Sequence, residues 1–456
     1  MIPLTLSEAA AACGGRLETD DPNVEVRRVC TDSRGAQPGD LFVALRGEQF
    51  DGDEYAAAAL AAGAAAAVVR AKAAAGLPAD QARIVVDDGL RALQALATTV
   101  RRRSGVKVVA ITGSAGKTST KDILAALLRP VARTVATSAN LNNEIGVPLT
   151  LLEIDPGTEV AVVEMAMRGA GQIRELARVA LPDVGVITNI APVHLELVGT
   201  VEDVAAAKAE LIEELMGGTA VVPVDEPLLE RHVRRHRGRV VTFGMPDADV
   251  HIVDEERRGE STHVLLDAFG HRARMDFSFT GGHYLHDALA AVAAFVELGY
   301  RLDQAAEGAA QVAFSDLRGA VSNLAGGGLL LNDAYNANPV AMKAAVDHLA
   351  VIADGRPTVA VLGDMYELGL GADAYHRGVG EHCAAAGVRL VAVGALARAY
   401  QVGAPGERWF ATVDECLASL PEVVPPGSAV LVKASRLMRM ERVAEALTAE
   451  GGPDHA

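Results

Sequence analysis

The sequence predicts an α/β protein of three domains. Short apolar strands alternate with helical segments along most of the 456 residues, a pattern typical of parallel sheets covered by helices. A chain of this length is too long for one ordinary core. Half of the residues are hydrophobic, which is enough to fill several cores. We place the domains at residues 1–103, 104–312 and 313–456.

The first domain is predicted to be small and α/β. Ser7 is a candidate N-cap for a helix over residues 8–12. Three polar residues, Ser33, Arg34 and Arg46, follow predicted strands, which is where ligands of α/β sheets usually bind. On the residues alone, solvated loop polarity is the simpler explanation for them. The other predicted elements are strands over 66–69 and 84–86 and helices over 54–62 and 90–102.

The second domain opens with a glycine-rich loop. Residues 108–111 form an apolar run, and Gly113-Ser-Ala-Gly-Lys-Thr-Ser119 leads into an apolar-periodic helix that reaches residue 128. Glycines permit a tight turn and close approach to a ligand, and a helix N-terminus favours an anion. Lys117 can contact phosphates and the Thr118 hydroxyl can bind Mg²⁺. The spacing departs from the standard P-loop, so the prediction of a nucleoside triphosphate site rests on strand, loop and helix together.

Polar residues follow the later strands of this domain. Glu164 ends the strand over 160–163, where a P-loop protein holds Mg²⁺ or water, and His194 follows the strand over 184–188. Lys208 lies in an otherwise apolar helix over 201–215, where a snorkelling lysine is the simpler explanation. Three amides stand in the loop over 138–148, where turn geometry is the alternative to ligand binding; they are Asn140, Asn142 and Asn143.

After an antiparallel extension, the alternation of strands and helices starts again in the rest of the chain. Residues 240–279 predict antiparallel strands, and a helix follows over 281–298. In the third domain, Asn338 and Pro339 suit the cap and first turn of a helix. The remaining predictions are strands over 329–332, 358–362, 390–393 and 429–432, and helices over 340–349, 373–386 and 440–450.

Composition and charge argue against several classes of protein. The net charge of −17 argues against a general nucleic-acid partner, which needs a basic surface. The longest alanine-rich run, residues 56–69, is too short to cross a membrane. The N-terminus lacks the features of a signal peptide, so we expect a cytoplasmic protein. The four cysteines are isolated and predict neither a zinc site nor a disulfide framework.

Several of these stretches together resemble the Mur ligases of peptidoglycan synthesis, over nearly the whole chain. The matching stretches are residues 32–34, 41–47, 112–119, 140–148, 333–339, 363–369 and 432–436. The most specific are 140–148 and 333–339. Asn336 stands where the ligase adding the third amino acid and folylpolyglutamate synthase usually have His.

The resemblance implies three named domains: a small N-terminal α/β uridine-nucleotide-binding domain, a central P-loop-type parallel-sheet ATPase domain and a C-terminal Rossmann-like α/β domain. It implies an ATP- and Mg²⁺-dependent amide ligase of peptidoglycan precursor synthesis. The expected reaction joins D-alanyl-D-alanine to UDP-N-acetylmuramoyl-tripeptide through an acyl phosphate, giving UDP-pentapeptide, ADP and phosphate. We expect a monomer with no membrane partner.

The resemblance also implies roles for individual residues. The candidate catalytic residues are Lys117, Glu164, His194 and Lys208. The metal ligands would be Thr118, Glu164, His194 and a carbamylated Lys208. The ATP contacts would be Gly113, Ser114, Ala115, Gly116, Lys117, Thr118, Ser119, His283, Asp287, Arg318, Asp333 and Asn336. The substrate contacts would be Ser33, Arg34, Arg46, Gly47, Asn140, Asn142, Asn143, Lys433, Ser435 and Arg436.

One departure from the family pattern concerns adenine. Asp287 stands where the family commonly has an Asn that both donates to and accepts from the base. An ionised carboxylate only accepts, so we expect adenine recognition to differ.

Two other functions fit parts of the sequence. A neighbouring Mur-type ligase would use a different amino acid, which the residues around Asn336 disfavour. A nucleotide-binding regulatory module would form no amide bond, which the full set of candidate phosphate and metal ligands disfavours.

Overall fold

The computed structural model describes residues 1–47, 49–315, 319–404 and 407–449. Three separate mainly parallel sheets carry helices on their faces, which confirms the expected three-domain α/β class. The sheets fall within residues 16–86, 107–277 and 320–433. We keep domain boundaries at 103/104 and 312/313 as predictions. Among the described residues, every helix is too short or too polar to cross a membrane.

The N-terminal sheet has five strands in the order β2-β7-β6-β5-β4, and β1 pairs separately with β3. The strands are β1 Leu4–Thr5, β2 Arg16–Glu18, β3 Glu25–Val26, β4 Val29–Cys30, β5 Leu41–Val43, β6 Ala66–Arg70 and β7 Arg83–Val86. The helices are α1 Leu6–Cys13, α2 Ala56–Ala61, α3 Ala71–Ala74 and α4 Gly89–Arg103, with 3₁₀ turns at Ser33–Gly35 and Gly52–Tyr55.

The cap of α1 differs from the prediction. Thr5, not Ser7, is the N-cap: its hydroxyl accepts from the Glu8 N–H, and the Glu8 carboxylate accepts from the Thr5 N–H. This reciprocal pair is a capping box. The expected helix over 54–62 is also divided, because a 3₁₀ turn occupies its start.

The central sheet has nine strands in the order β16-β15-β14-β13-β12-β11-β8-β10-β9. The strands are β8 Lys107–Thr112, β9 Thr134–Ala136, β10 Val160–Glu164, β11 Val184–Ile187, β12 Thr219–Pro223, β13 Val240–Gly244, β14 Val250–Arg258, β15 Ser261–Ala268 and β16 His271–Phe277. The helices are α5 Lys117–Leu128, α6 Gly146–Leu152, α7 Gln172–Ala180, α8 Leu195–Val198, α9 Val201–Glu214, α10 Glu230–Val233, α11 Gly282–Glu297 and α12 Ala306–Ala309, with 3₁₀ turns at Pro227–Leu229 and Leu302–Ala305.

Pairing within this sheet corrects one expectation. The segment over 240–279 is antiparallel only from β14 onward, because β13 pairs in parallel with both β12 and β14. The polar loop expected over 138–148 is also shorter, since α6 begins at Gly146. Strand β8 lies between β10 and β11. The carboxyl ends of these three parallel strands therefore meet at one edge, which positions the site.

The C-terminal sheet has six strands in the order β17-β18-β22-β19-β20-β21, all parallel except β17. The strands are β17 Ala320–Asn323, β18 Leu329–Asn332, β19 Thr358–Gly363, β20 Arg389–Val393, β21 Arg408–Phe410 and β22 Ala429–Lys433. The helices are α13 Pro339–Ile352, α14 Ala372–Ala385, α15 Tyr400–Gly403, α16 Val413–Ala418, α17 Leu420–Val423 and α18 Glu441–Ala449, with 3₁₀ turns at Ala325–Gly327, Gly369–Gly371, Leu396–Ala399 and Arg436–Met438.

The units are packed against one another. Buried side chains of α4, including Leu93 and Leu96, belong to the same apolar cluster as Val147 and Leu176 of the central helices α6 and α7. On the other side, the Asn338 cap of α13 reaches the central domain, where its amide donates to the Ser114 carbonyl at 3.5 Å. The C-terminal domain therefore contacts the glycine-rich loop.

Candidate active site

The glycine-rich loop turns sharply between β8 and α5. Gly113 has a φ of +153° and Gly116 a φ of +79°, the left-handed region that favours glycine. A Cβ on Gly113 would overlap the Thr188 hydroxyl, and one on Gly116 would overlap the Asp287 carboxylate. Helix α5 starts at the next residue, so its free N–H groups lie at the loop. This arrangement suits a phosphate.

The loop opens into a cavity of about 910 Å³ between the central and C-terminal domains. That volume is at the upper end of small-molecule sites. The predicted site residues that line it are Ser114, Ala115, Gly116, Lys117, Ser119, Asn140, Asn142, Asn143, Glu164, His194, His283, Asp287, Asp333, Asn336 and Lys433. Residues far apart in the sequence thus meet in one space.

Glu164 lies at the centre of a buried hydrogen-bond network at the end of β10. The Thr118 hydroxyl donates to one of its carboxylate oxygens and the Asn142 amide to the other, each at 2.8 Å. The Glu164 N–H donates to the Thr137 hydroxyl at 2.9 Å. A carboxylate and a hydroxyl placed side by side at a helix N-terminus are hard oxygen ligands, which fit Mg²⁺.

Two lysines converge on one carbonyl of the loop. The Nζ atoms of Lys117 and Lys208 each donate to the Gly113 carbonyl at 2.9 Å. Lys208 is only 2% exposed, so it does not reach solvent as a snorkelling residue would. Burial, and then the charge of Lys117, lower the pKa of Lys208 well below its usual value. Burial therefore disfavours the charged form of this amine.

His194 faces the C-terminal domain. It follows β11 with a φ of +54°, and its Nδ1 atom is hydrogen-bonded to the Glu367 carboxylate. Burial lowers the pKa of His194, although Glu367 opposes that shift. Within the described parts of the chain, no group of three or more His, Cys, Asp or Glu side chains could hold a metal ion. A metal here would take further ligands from bound phosphate, as Mg²⁺ commonly does.

The C-terminal domain contributes a buried cation. The Lys433 ammonium is ion-paired with Asp333 and donates to the Asn336 carbonyl at 2.9 Å. Its expected role is to face the peptide or dipeptide, and its two partners are residues expected to contact ATP. Ser435 and Arg436 are outside the described lining of the cavity. The Ser435 hydroxyl accepts from the Tyr366 N–H, and Arg436 pairs with Glu441 at 2.9 Å.

The start of α11 forms another wall. His283 packs beside Tyr284 and His348, with ring centroids 3.9 and 5.7 Å away. Burial, and then the charges of His348 and Lys433, lower the pKa of His283 to about 3, so the ring is neutral at neutral pH. Asp287 is buried against Gly116, and this predicted adenine contact therefore lies at the phosphate loop itself.

The predicted substrate residues of the first domain are outside the described lining of the central cavity. Ser33 and Arg34 lie in the turn after β4, where Arg34 is exposed and paired with Asp32 at 2.6 Å. Arg46 and Gly47 follow β5, and the Phe50 ring packs over Gly47. Arg318 lies outside the residues that the structure describes.

The residues missing from the predicted site include two that line the cavity, Asn189 and Arg168, and one that is bonded to the lining residue His194, Glu367. The Asn189 amide oxygen accepts from the Ala115 N–H at 2.9 Å and so braces the phosphate loop. Its place directly after a strand was a usable signal. Arg168 follows Glu164 closely and lines the cavity. Glu367 lies 173 positions from His194, a distance in sequence that spacing arguments do not bridge.

The fold and the site together define a three-domain P-loop protein with its nucleotide cavity between two domains. Three protein-family models match successive parts of the chain. The Mur ligase family catalytic domain matches residues 25–101, the Mur ligase middle domain 111–295 and the Mur ligase glutamate ligase domain 318–436.

The chain belongs to the Mur ligase family. It is 36% identical to a UDP-N-acetylmuramoyl-tripeptide–D-alanyl-D-alanine ligase from Synechocystis sp., covering 94% of this chain and 93% of the relative. A MurF structure from Acinetobacter baumannii superposes with a TM-score of 0.88 at 32% identity, covering 98% and 99% of the two chains. A MurF ligase from Thermotoga maritima in complex with ADP gives 0.82 at 30% identity, covering 93% and 98%.

The left-handed glycine of the phosphate loop can be tested directly. We predict that Gly116→Ala lowers affinity for ADP by about tenfold or more, because a strained backbone costs about 1–3 kcal/mol and the Cβ displaces the Asp287 carboxylate. Isothermal titration calorimetry measures this affinity. Gly169→Ala is the matched control, since its Cβ meets open space, and it should bind as the unmodified protein does. Unchanged ADP affinity in Gly116→Ala contradicts the proposed loop role.

Proposed function

We propose that this chain is an ATP-dependent amide ligase of peptidoglycan precursor synthesis. It joins D-alanyl-D-alanine to UDP-N-acetylmuramoyl-tripeptide and gives the UDP-pentapeptide, ADP and phosphate. The observation that carries this is the shared cavity: the phosphate loop, the Glu164 carboxylate and the C-terminal domain face one space, where a terminal phosphate and an acceptor can meet. The named activity of the similar full-length proteins supports the same reaction.

The phosphate loop holds the triphosphate in this proposal. Residues Gly113 to Ser119 contact the phosphates, with the free backbone N–H groups at the start of α5 bound to phosphate oxygens, and Lys117 neutralises their charge. The other ATP contacts are His283, Asp287, Arg318, Asp333 and Asn336. Positioning and charge stabilisation supply most of the catalysis of phosphoryl transfer.

Two metal positions are proposed. Thr118 and Glu164 would hold one Mg²⁺, and His194 and a carbamylated Lys208 would hold the second. Bound Mg²⁺ would polarise the transferred phosphoryl group and offset charge on the departing ADP. The burial of Lys208 supports carbamylation, because it disfavours the charged amine and only the uncharged form reacts with carbon dioxide. The product carries a carboxylate-like oxygen pair.

The reaction takes two steps. A terminal carboxylate oxygen of the tripeptide attacks the γ-phosphorus, the bond to the β–γ bridging oxygen breaks, and ADP leaves. The uncharged amine of D-alanyl-D-alanine then attacks the acyl carbon, the bond from carbon to the phosphate oxygen breaks, and inorganic phosphate leaves while the nitrogen loses its proton. Phosphorylation makes the poorly electrophilic carboxylate reactive.

The substrate spans two sites in this proposal. Ser33, Arg34, Arg46 and Gly47 bind the uridine diphosphate, and Asn140, Asn142 and Asn143 bind the middle of the substrate. Lys433, Ser435 and Arg436 bind the peptide end of the substrate. Lys433 acts through Asp333, because that carboxylate holds its ammonium group. Since ATP and UDP-linked precursors are cytoplasmic, we place the reaction in the cytoplasm.

The coupling of ATP use to both acceptors tests the proposed function. We expect phosphate release only when ATP, UDP-tripeptide and D-alanyl-D-alanine are all present, and a coupled phosphate assay measures it. The assay should compare tripeptides that end in lysine with tripeptides that end in diaminopimelate. Replacing the dipeptide with free amino acids tests the alternative that this chain is a neighbouring Mur-type ligase. Equal release without either acceptor would contradict the proposal and favour a nucleotide-binding module.

The role of Lys208 gives a second test. Lys208→Ala should lose activity about 100-fold or more, and small carboxylic acids such as acetate should partly restore it by replacing the carbamate oxygens. Lys117→Ala is the matched control, because its amine donates to the same carbonyl but supplies a positive charge. It should lose activity that acetate does not restore. An unaffected Lys208→Ala variant, or one without rescue, counts against carbamylation.

A further inference from the structure

The bond between His194 and Glu367 crosses the domain boundary. His194 follows β11 of the central sheet, whereas Glu367 follows β19 of the C-terminal sheet. Two further hydrogen bonds accompany it: the Glu196 N–H donates to the Glu367 carbonyl, and the Gly369 N–H donates to the Glu196 carboxylate, each at 3.4 Å. The loops of the two domains therefore hold each other at this point.

Both residues adopt an unusual backbone conformation. His194 has a φ of +54° and Glu367 a φ of +63°, and neither is glycine. A left-handed conformation is unfavourable for side chains of this size, and such residues concentrate at functional sites. Here the two strained residues face each other and their side chains are bonded. The hydrogen bond from the C-terminal domain therefore fixes the orientation of the His194 imidazole.

The bond also determines which nitrogen is available. An ionised carboxylate only accepts, so the Nδ1 atom of His194 donates its proton to Glu367. In the neutral ring, the Nε2 atom then keeps its lone pair. His194 lines the cavity. The Nε2 lone pair is therefore the electron pair that this residue can offer to a group bound there. Carboxylate partners of this kind commonly fix the tautomer of metal-binding histidines.

We propose that Glu367 is a positioning residue that holds His194 as a metal ligand only when the C-terminal domain is docked. The inference rests on the proposed function, which assigns His194 to the second metal. Docking of the domain that covers the cavity thus completes the metal site. When nucleotide is bound to the central domain alone, Glu367 does not hold the orientation of the His194 imidazole.

The test uses the full-length protein with ADP and Mn²⁺ as the probe. Electron spin-echo envelope modulation detects nitrogen bound to Mn²⁺, and His194→Ala defines the signal that belongs to this histidine. We expect Glu367→Ala to lose that signal or to require about 10- to 100-fold more Mn²⁺ to reach it. Glu367→Gln should recover part of it, because its amide oxygen still accepts from Nδ1–H.

Glu196→Ala is the matched control. It removes the acceptor of the Gly369 N–H, and so the neighbouring interdomain contact, but leaves the Glu367 carboxylate in place, so it should keep the nitrogen signal at the Mn²⁺ concentration of the unmodified protein. A thermal unfolding midpoint for each variant separates loss of the ligand from loss of the fold.

The outcomes separate the inference from the function on which it rests. A His194-dependent signal that Glu367→Ala leaves unchanged in strength and Mn²⁺ dependence overturns the positioning role alone. A signal absent from the unmodified protein overturns both the positioning role and the metal assignment of His194. Equal loss in Glu367→Ala and Glu196→Ala also overturns the specific role, since domain contact in general would then be responsible.

Discussion

The site depends on a backbone constraint between β8 and α5. The chain must reverse within a few residues so that the free N–H groups of α5 lie beside a carboxylate from the neighbouring strand. Gly113 and Gly116 allow this because each has a positive φ and a side chain at either would overlap an adjacent group. The loop is further held by Asn189 and by two lysines on the Gly113 carbonyl.

The parallel sheet explains why the chemistry gathers at one edge. Strands β8, β10 and β11 are adjacent and parallel, so the phosphate loop, Glu164 and Asn189 emerge side by side. The C-terminal sheet presents the same kind of edge from the other side, with Asp333 after β18 and Glu367 after β19. Two such edges facing each other enclose a cavity in which a phosphoryl donor and acceptor can be shielded from water.

Much of this arrangement was predictable because it is local. The strand, loop and helix around Lys117, the carboxylate at the end of β10 and the Asn338 cap each follow from a few neighbouring residues. Other features depend on contacts between distant segments. Lys433 is buried because Asp333, 100 positions away, neutralises it, and Glu367 matters only because a second domain places it at His194. The parallel pairing of β13 with β14 likewise depends on how the connection crosses, which alternation of residues does not encode.

The most direct measurement of the central claim is a crystal structure with a non-hydrolysable ATP analogue and Mg²⁺. The account predicts triphosphate oxygens within hydrogen-bond distance of the backbone N–H groups of residues 116–118, with the terminal phosphate facing Glu164 and the C-terminal domain. A triphosphate bound elsewhere, away from Lys117 and Thr118, would contradict it.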